Sequence, residues 1–227
     1  MNISKELIMV EAITAQEMQL LERYTIDEIG VSPLVLMERT AMSVIEVLGA
    51  GDFDLSNVLV LCGLGNNGGD GIAIARLLIQ KGINVDLLIL GDEKRASPRT
   101  LNQLNIARNY GIEVKQRASD FRSYTAIVDA LFGIGLSKPV PAKLGDVIKR
   151  INSANVPVVS VDTPSGLDAT TGEILGSSIR AAATVTFGYA KTGLLKNEGL
   201  KRAGNIYVKD IGVYKYPNFD AEQASAE

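Results

Sequence analysis

The chain has 227 residues, 46% hydrophobic and 22% charged, enough apolar surface for one substantial core. Its 23 basic and 26 acidic residues leave a formal charge of −3, without the basic field that nucleic-acid binding generally uses. It has no histidine and one cysteine, Cys62, which excludes a Ser-His-Asp triad, a histidine base, a histidine-ligated metal, an internal disulfide and a cysteine-rich zinc site.

The opening, "MNISKELIMVEAIT", does not read as a signal peptide, and no apolar run approaches the roughly 18 residues of a membrane span. The expectation is a cytoplasmic enzyme or binding protein, with neither nucleic acid nor membrane among its partners. Two helices come first. Thr14 and Glu17 form a capping-box pattern at the head of "TAQEMQLLERYTIDEIG", with Gly30 as a stop. Ser32 and Pro33 then open "SPLVLMERTAMSVIEVLG", with Pro33 in the first helical position and Gly49 beyond the end.

From residue 57 strands and helices alternate. "NVLVLC" is a short, wholly apolar strand of the kind found in a parallel sheet covered on both faces. The helix "DGIAIARLLIQKG", the strand "NVDLLIL", the helix "PRTLNQLNIARNYG" and the strand "IEVKQ" follow, the helices stopped by Gly82 and Gly111. "TAIVDALFG", "VPVVSVDTP", "AATVTFG" and "GNIYVKDIG" supply four more strands. Between the first two of these lies a helix with Leu144, Val147, Ile148 and Ile151 on one face. These elements predict one α/β domain over 1–227, a Rossmann-like three-layer αβα sandwich with a mostly parallel sheet. Its helical N-terminus covers about 14–49, its α/β body about 57–211 and a polar tail about 216–227.

Such sheets bind ligands beyond the carboxyl ends of their strands, which directs attention to the loops after Cys62, Asp129, Asp162 and Phe187. The first, "GLGNNGGDG", has the G-x-G-x-x-G spacing of a dinucleotide fingerprint in Gly63, Gly65 and Gly68. It also holds Asn66, Asn67 and Asp70. A carboxylate at the head of the following helix is stabilised by the helix dipole but would repel a pyrophosphate seated there, which argues against a hydride-transferring dehydrogenase. Cys62 itself reads as a small buried hydrophobe. In "VDALFGIGLSKPVP", Asp129 sits at the tip of an apolar strand, where an ionised group is costly unless paired, and a cation is a natural partner. Lys138 is either a phosphate ligand or a solvated loop residue. In "SVDTPSGLDATTGE", Asp162, Thr163, Ser165 and Asp168 offer oxygens that suit a hard cation or, alternatively, satisfy their own turn. Lys191, in "FGYAKTGLL", reads equally as a ligand or a surface lysine.

Taken together, "LMERTA", "CGLGNNGGDG", "DALFGIGL", "VDTPSGLDATTGE" and "FGYAKTGL" resemble the NAD(P)H-hydrate epimerases, the YjeF N-terminal domain family, from about Thr14 to Ile211. The chain departs from the family's usual pattern at Arg39-Thr40-Ala41, where asparagine-alanine-glycine is common, and at Ala190, where proline is common. The resemblance implies a hydrated nicotinamide dinucleotide, NAD(P)HX, as substrate, bound without hydride transfer. It implies substrate contacts from Asn66, Asn67, Gly68, Gly69 and Asp70. It implies further contacts from Gly133, Ile134, Gly135, Leu136, Ser137, Lys138 and Pro139, and from Asp162. It also implies one potassium ion held by Asn67, Asp129 and Ser165, a homodimer, and a separate NAD(P)H-hydrate dehydratase as partner enzyme.

The hydrate carries its hydroxyl on a carbon bonded to ring nitrogen. Inversion there, by loss and re-addition of water or by ring opening and reclosure, needs a proton shuttle that a carboxylate can supply without histidine. Asp162 is the expected shuttle, with Asp70 as runner-up. A non-catalytic nucleotide-binding and dimerisation module of the same fold is the competing reading, and an NAD-dependent dehydrogenase a third. The acids at the strand ends favour catalysis.

Overall fold

The computed structural model of the chain describes residues 11–118 and 120–214, so the tail read at 216–227 lies outside the described residues. A two-residue strand, β1 (Ala12–Ile13), precedes helix α1 (Ala15–Asp27). The Thr14 hydroxyl accepts from the Glu17 amide while the Glu17 carboxylate accepts from the Thr14 amide, so the expected capping box is formed. Helix α2 (Pro33–Ala50) starts with Pro33 in its first turn, where a missing N–H costs nothing. It runs one residue past Gly49, and the Gly51 N–H closes it on the Val47 carbonyl.

The body continues through β2 (Val58–Cys62), α3 (Asn66–Gln80), β3 (Val85–Ile89), α4 (Pro98–Asn109), β4 (Val114–Lys115), β5 (Ala126–Ala130), α5 (Ala142–Asn152), β6 (Val158–Val161), β7 (Ala183–Phe187), β8 (Ala190–Lys191), α6 (Gly199–Arg202) and β9 (Asn205–Lys209). Seven strands form one sheet in the order β4-β3-β2-β5-β6-β7-β9, and every neighbouring pair is parallel. All seven strands expected from the sequence are present. The pair β1 and β8 is an addition: two short segments, neither with a strand-like pattern, join in parallel with Ala12 opposite Ala190.

Alternation along β2 builds the layers. Val58, Val60 and Cys62 pack with residues of α1, α2, α3 and α4 such as Met18, Leu36, Ile74 and Leu104. Leu59 and Leu61 face the other way, toward Phe121 and the α5 residues Ile148 and Ile151. The apolar strand therefore reads as continuous because both its faces are covered. The strand order reverses between β2 and β5, with Cys62 opposite Ala130, so the loops leaving these two strands diverge around a crevice at the switch point. Asp162 follows the next strand, β6, on the same side of β5. Among the described residues no helix is long and apolar enough to cross a membrane.

Candidate active site

Helix α3 starts earlier than the sequence suggests, at Asn66 rather than Asp70. Gly65 is its extended N-cap, and the amides of Gly68 and Gly69 turn back onto the Gly65 carbonyl. The glycines make this tight start possible. A Cβ on Gly68 would stand 2.0 Å from the Gly63 carbonyl oxygen, and one on Gly63 would stand 2.0 Å from that of Leu131. Asp70 consequently belongs to the second turn of α3 and not to its N-terminus, which corrects the placement expected from the sequence.

The crevice holds a cavity of about 640 Å³, walled by α1, α2, the start of α3, and the loops after β5, β6 and β7. Asn66, Asn67, Asp70, the loop Gly133–Lys138 and Asp162 all line it, as does Lys191. Gly68 and Gly69 lie behind its wall, packed against Gly63 and Met37, and exposed Pro139 lies outside it beside Gly176. Glu22 and Arg99, which nothing in the sequence pattern marks, form an ion pair of 3.0 Å at the cavity wall.

Asp162 occupies an unusual backbone position. Its φ is +69°, and the Thr163 N–H reaches across it to the Val161 carbonyl at 2.9 Å, a strained γ-turn. The same turn ends β7, where Gly188 has φ +70° and the Tyr189 N–H donates to the Phe187 carbonyl. Asp162 Oδ2 accepts the Ile134 N–H at 3.0 Å, and its Oδ1 lies 2.8 Å from Lys191 Nζ. The loop glycine permits this approach: a Cβ on Gly133 would stand 2.9 Å from Asp162 Oδ2 and 3.2 Å from Asn67 Oδ1. Lys191, which the sequence left open as a surface residue or a ligand, is only 1% exposed. Its segment, "FGYAKTGLL", sets the lysine between apolar residues and two glycines, a local pattern compatible with either reading.

Asp70 has a different environment. Its loss of hydration pushes the carboxyl well above the usual carboxylate range, and the charges of Glu22 and Asp162 push it further, against the opposing pull of Arg99. Two carboxyls thus face one cavity, one beside a lysine and the other in surroundings that favour its protonated form. Cys62 is core, as expected, and burial raises its thiol pKa.

Asp129 lies below the cavity floor and is fully buried. Ser165 Oγ donates to its Oδ1 at 2.6 Å, Ser160 Oγ and the Ser165 N–H donate to Oδ2 at 2.8 and 2.9 Å, and the Leu131 N–H reaches Oδ1 at 3.3 Å. Burial raises the Asp129 pKa, and these hydrogen bonds oppose the shift. No lysine or arginine pairs with it among the described residues. The Phe132 carbonyl lies 3.2 Å from Ser165 Oγ, which adds a third hard oxygen. Asn67 is set against Gly133, next to Phe132, and its Nδ2 is buried without a hydrogen-bond partner. A single carboxylate among neutral oxygens matches a monovalent hard cation in charge and donor type. Among the described residues no group of three or more His, Cys, Asp or Glu could hold a metal. Asp168, an oxygen donor in the sequence reading, instead accepts the amides of Thr170 and Thr171, which is the turn-satisfying alternative.

The family model described as "YjeF-related protein N-terminus" matches residues 33–193. A protein of Weissella koreensis named NAD(P)H-hydrate epimerase is 67% identical over 206 residues, covering 91% of this chain and 93% of that protein. One of Leuconostoc citreum with the same name is 51% identical, covering 90% and 91%. A yeast crystal structure superimposes with a TM-score of 0.75 at 22% identity, covering 93% of this chain and 98% of the other, a likeness of fold. The chain belongs to the YjeF-related protein N-terminus family.

Proposed function

We propose that this protein is an isomerase that interconverts the R and S epimers of NAD(P)H hydrate. The observation that carries the mechanism is the pair of unlike carboxyls, Asp70 and Asp162, on one cavity at the switch point of a parallel sheet. The epimerase relatives supply the substrate class.

The hydrate carbon bears a hydroxyl and a ring nitrogen. Protonated Asp70 gives its proton to the departing hydroxyl, the nitrogen lone pair assists, and water leaves. Water then adds to the opposite face of the ring and gives a proton to the Asp162 carboxylate. Each turnover moves one proton out of Asp70 and one onto Asp162, and proton exchange with solvent water resets both carboxyls before the next. Ring opening and reclosure would use the same two carboxyls differently, one taking the hydroxyl proton while the other gives a proton to the leaving ring nitrogen, with both transfers reversed on closure. Unlike environments for two carboxyls separate the acid from the base, as tuning by burial and charge generally does. The substrate contacts assigned are those of Asn66, Asn67 and Asp70, of the loop Gly133–Lys138, and of Asp162.

Asn67, Asp129 and Ser165 are the residues that would hold a potassium ion. Bound there, the ion would balance the Asp129 charge and stiffen the loop that begins at Leu131. The product epimer passes to a separate hydrate dehydratase. Exposed Val35 and Met42, seven residues apart on α2, give one helix face an apolar surface that supports a homodimer. A non-catalytic nucleotide-binding module would not require two carboxyls in unlike environments on one cavity.

The deciding test is incubation of pure R hydrate with and without the protein, followed by chromatographic separation of the epimers. Conversion to the R/S mixture much faster than in the protein-free control is the expected result. Equal rates, with dinucleotide binding intact, would overturn the reading in favour of the binding module.

A further inference from the structure

Lys191 lies within β8 just after the γ-turn that follows β7, and it is buried in the cavity wall. Nζ donates to the Thr186 hydroxyl at 2.8 Å and to the Phe187 carbonyl at 2.9 Å, and it forms an ion pair with Asp162 Oδ1 at 2.8 Å. Two of its three protons are held by protein oxygens and its charge is paired with Asp162. With 1% exposure, Lys191 is enclosed against these three oxygens, an arrangement suited to holding Asp162. The Thr186 hydroxyl, which accepts from Lys191, stands 3.4 Å from Asp162 Oδ1. On the other side, Oδ2 is held by the Ile134 N–H.

We propose that Lys191 is the positioning residue of the active site, clamping Asp162 Oδ1 so that the carboxylate presents Oδ2 to the cavity at the Gly133–Ile134 turn. This rests on the epimerase reading above. The physical need for a clamp is clear from the backbone. Asp162 is a non-glycine residue held at positive φ, a strained conformation that persists only where its surroundings over-determine it. The parallel pairing of β6 with β7 and of β1 with β8 fixes both ends of the clamp, so Asp162 and Lys191 are carried by independent elements. A reacting group displaced by about 1 Å can lose about 100-fold in rate.

A double-mutant cycle tests this, with kcat and KM measured on the R hydrate for the wild type, Lys191→Met, Asp162→Asn and the double variant. Lys191→Met should lower kcat by about 100-fold with KM changed by less than about 3-fold. In the Asp162→Asn background the same substitution should cost almost nothing, because the clamp has nothing left to position. Losses that multiply in the double variant, or a Lys191→Met defect confined to KM, would overturn the positioning role. Lys191→Met alone leaves Asp162 uncompensated, which threatens folding. Thr186→Val is the second arm: it keeps the lysine and the side-chain shape but removes one leg of the clamp. It should lower kcat by about 10-fold in the wild type and not in Asp162→Asn. Equal losses in both backgrounds would reject the proposal. A wild type inactive on the hydrate overturns the epimerase reading and this inference with it, whereas an active wild type with multiplicative losses overturns this inference alone.

Discussion

Ser165 donates its hydroxyl to Asp129 Oδ1 at 2.6 Å and its backbone N–H to Oδ2 of the same carboxylate at 2.9 Å. One residue of the loop after β6 thereby locks the end of β5, and the Phe132 N–H closes the arrangement by donating to Ser165 Oγ at 2.9 Å. The ion site and the loop that walls the cavity share these bonds, so a change at either should reach the other.

Potassium should therefore stabilise the folded wild type in proportion to its occupancy, as any ligand specific to the native state does. Thermal melting in potassium against choline should show a rise in Tm for the wild type and none for Ser165→Ala. The substitution also strands the Phe132 amide, at about 1–3 kcal/mol, so its Tm should be lower in both salts. A potassium response unchanged in Ser165→Ala would mean that the ion binds elsewhere.

Asp162→Asn keeps the side-chain shape and one hydrogen-bond acceptor but cannot take a proton at neutral pH. Dinucleotide affinity should change little while epimerisation falls by about 100-fold or more. Isothermal titration beside the chromatographic assay separates the two. A loss confined to affinity would make Asp162 an anchor for the nucleotide and transfer the proton shuttle to Asp70.

Asp70 leads to a prediction about stability. Its folded-state pKa lies above the unfolded value of about 3.9. The folded state thus binds the proton more tightly. The associated stability is complete below the unfolded pKa and is lost as pH rises through the folded pKa. Asp70→Asn removes that titration. Its Tm should match the wild type near pH 4 and exceed it at pH 8, while epimerase activity falls. A variant less stable than the wild type at pH 8 would contradict the raised pKa.

The two glycines of the α3 start should respond differently to the same substitution. A Cβ at Gly65 meets nothing within 4 Å, whereas one at Gly68 would collide with the backbone oxygen of Gly63 at 2.0 Å. Gly65→Ala should fold with a Tm close to the wild type, and Gly68→Ala should lose about 3 kcal/mol or more. Denaturant unfolding of the two proteins checks this directly. Equal stabilities would show that the turn can open.

Much of this was legible in the chain. The central strands β2, β5, β6 and β7 announce themselves as short, mostly apolar runs because every residue of each is buried, whereas the partly exposed edge strands β4 and β9 follow from the alternation of strands and helices. The capping box at Thr14 and Glu17, the proline start of α2 and the glycine stops after α3 and α4 are local, and local chemistry fixes them. The acids at strand ends stood out because they interrupt apolar runs at the rim where such sheets bind ligands. The start of α3 was misplaced because two asparagines and two glycines have weak helix propensity, and tertiary packing of Gly68 on Gly63 overrides it.

By itself, then, the sequence determined the fold class, the strand set, the absence of histidine chemistry and the loops that meet at the crevice, all of which follow from local pattern and composition. Only the tertiary structure decided what each charged group does there. It separated Asp70 from Asp162 by surrounding one with low-dielectric atoms and like charge, and the other with a lysine. It also buried Lys191 by pairing β8 with a strand nearly 180 residues earlier in sequence. The state of a titratable group depends on solvent and charges brought near by long-range packing, which no run of neighbouring residues encodes.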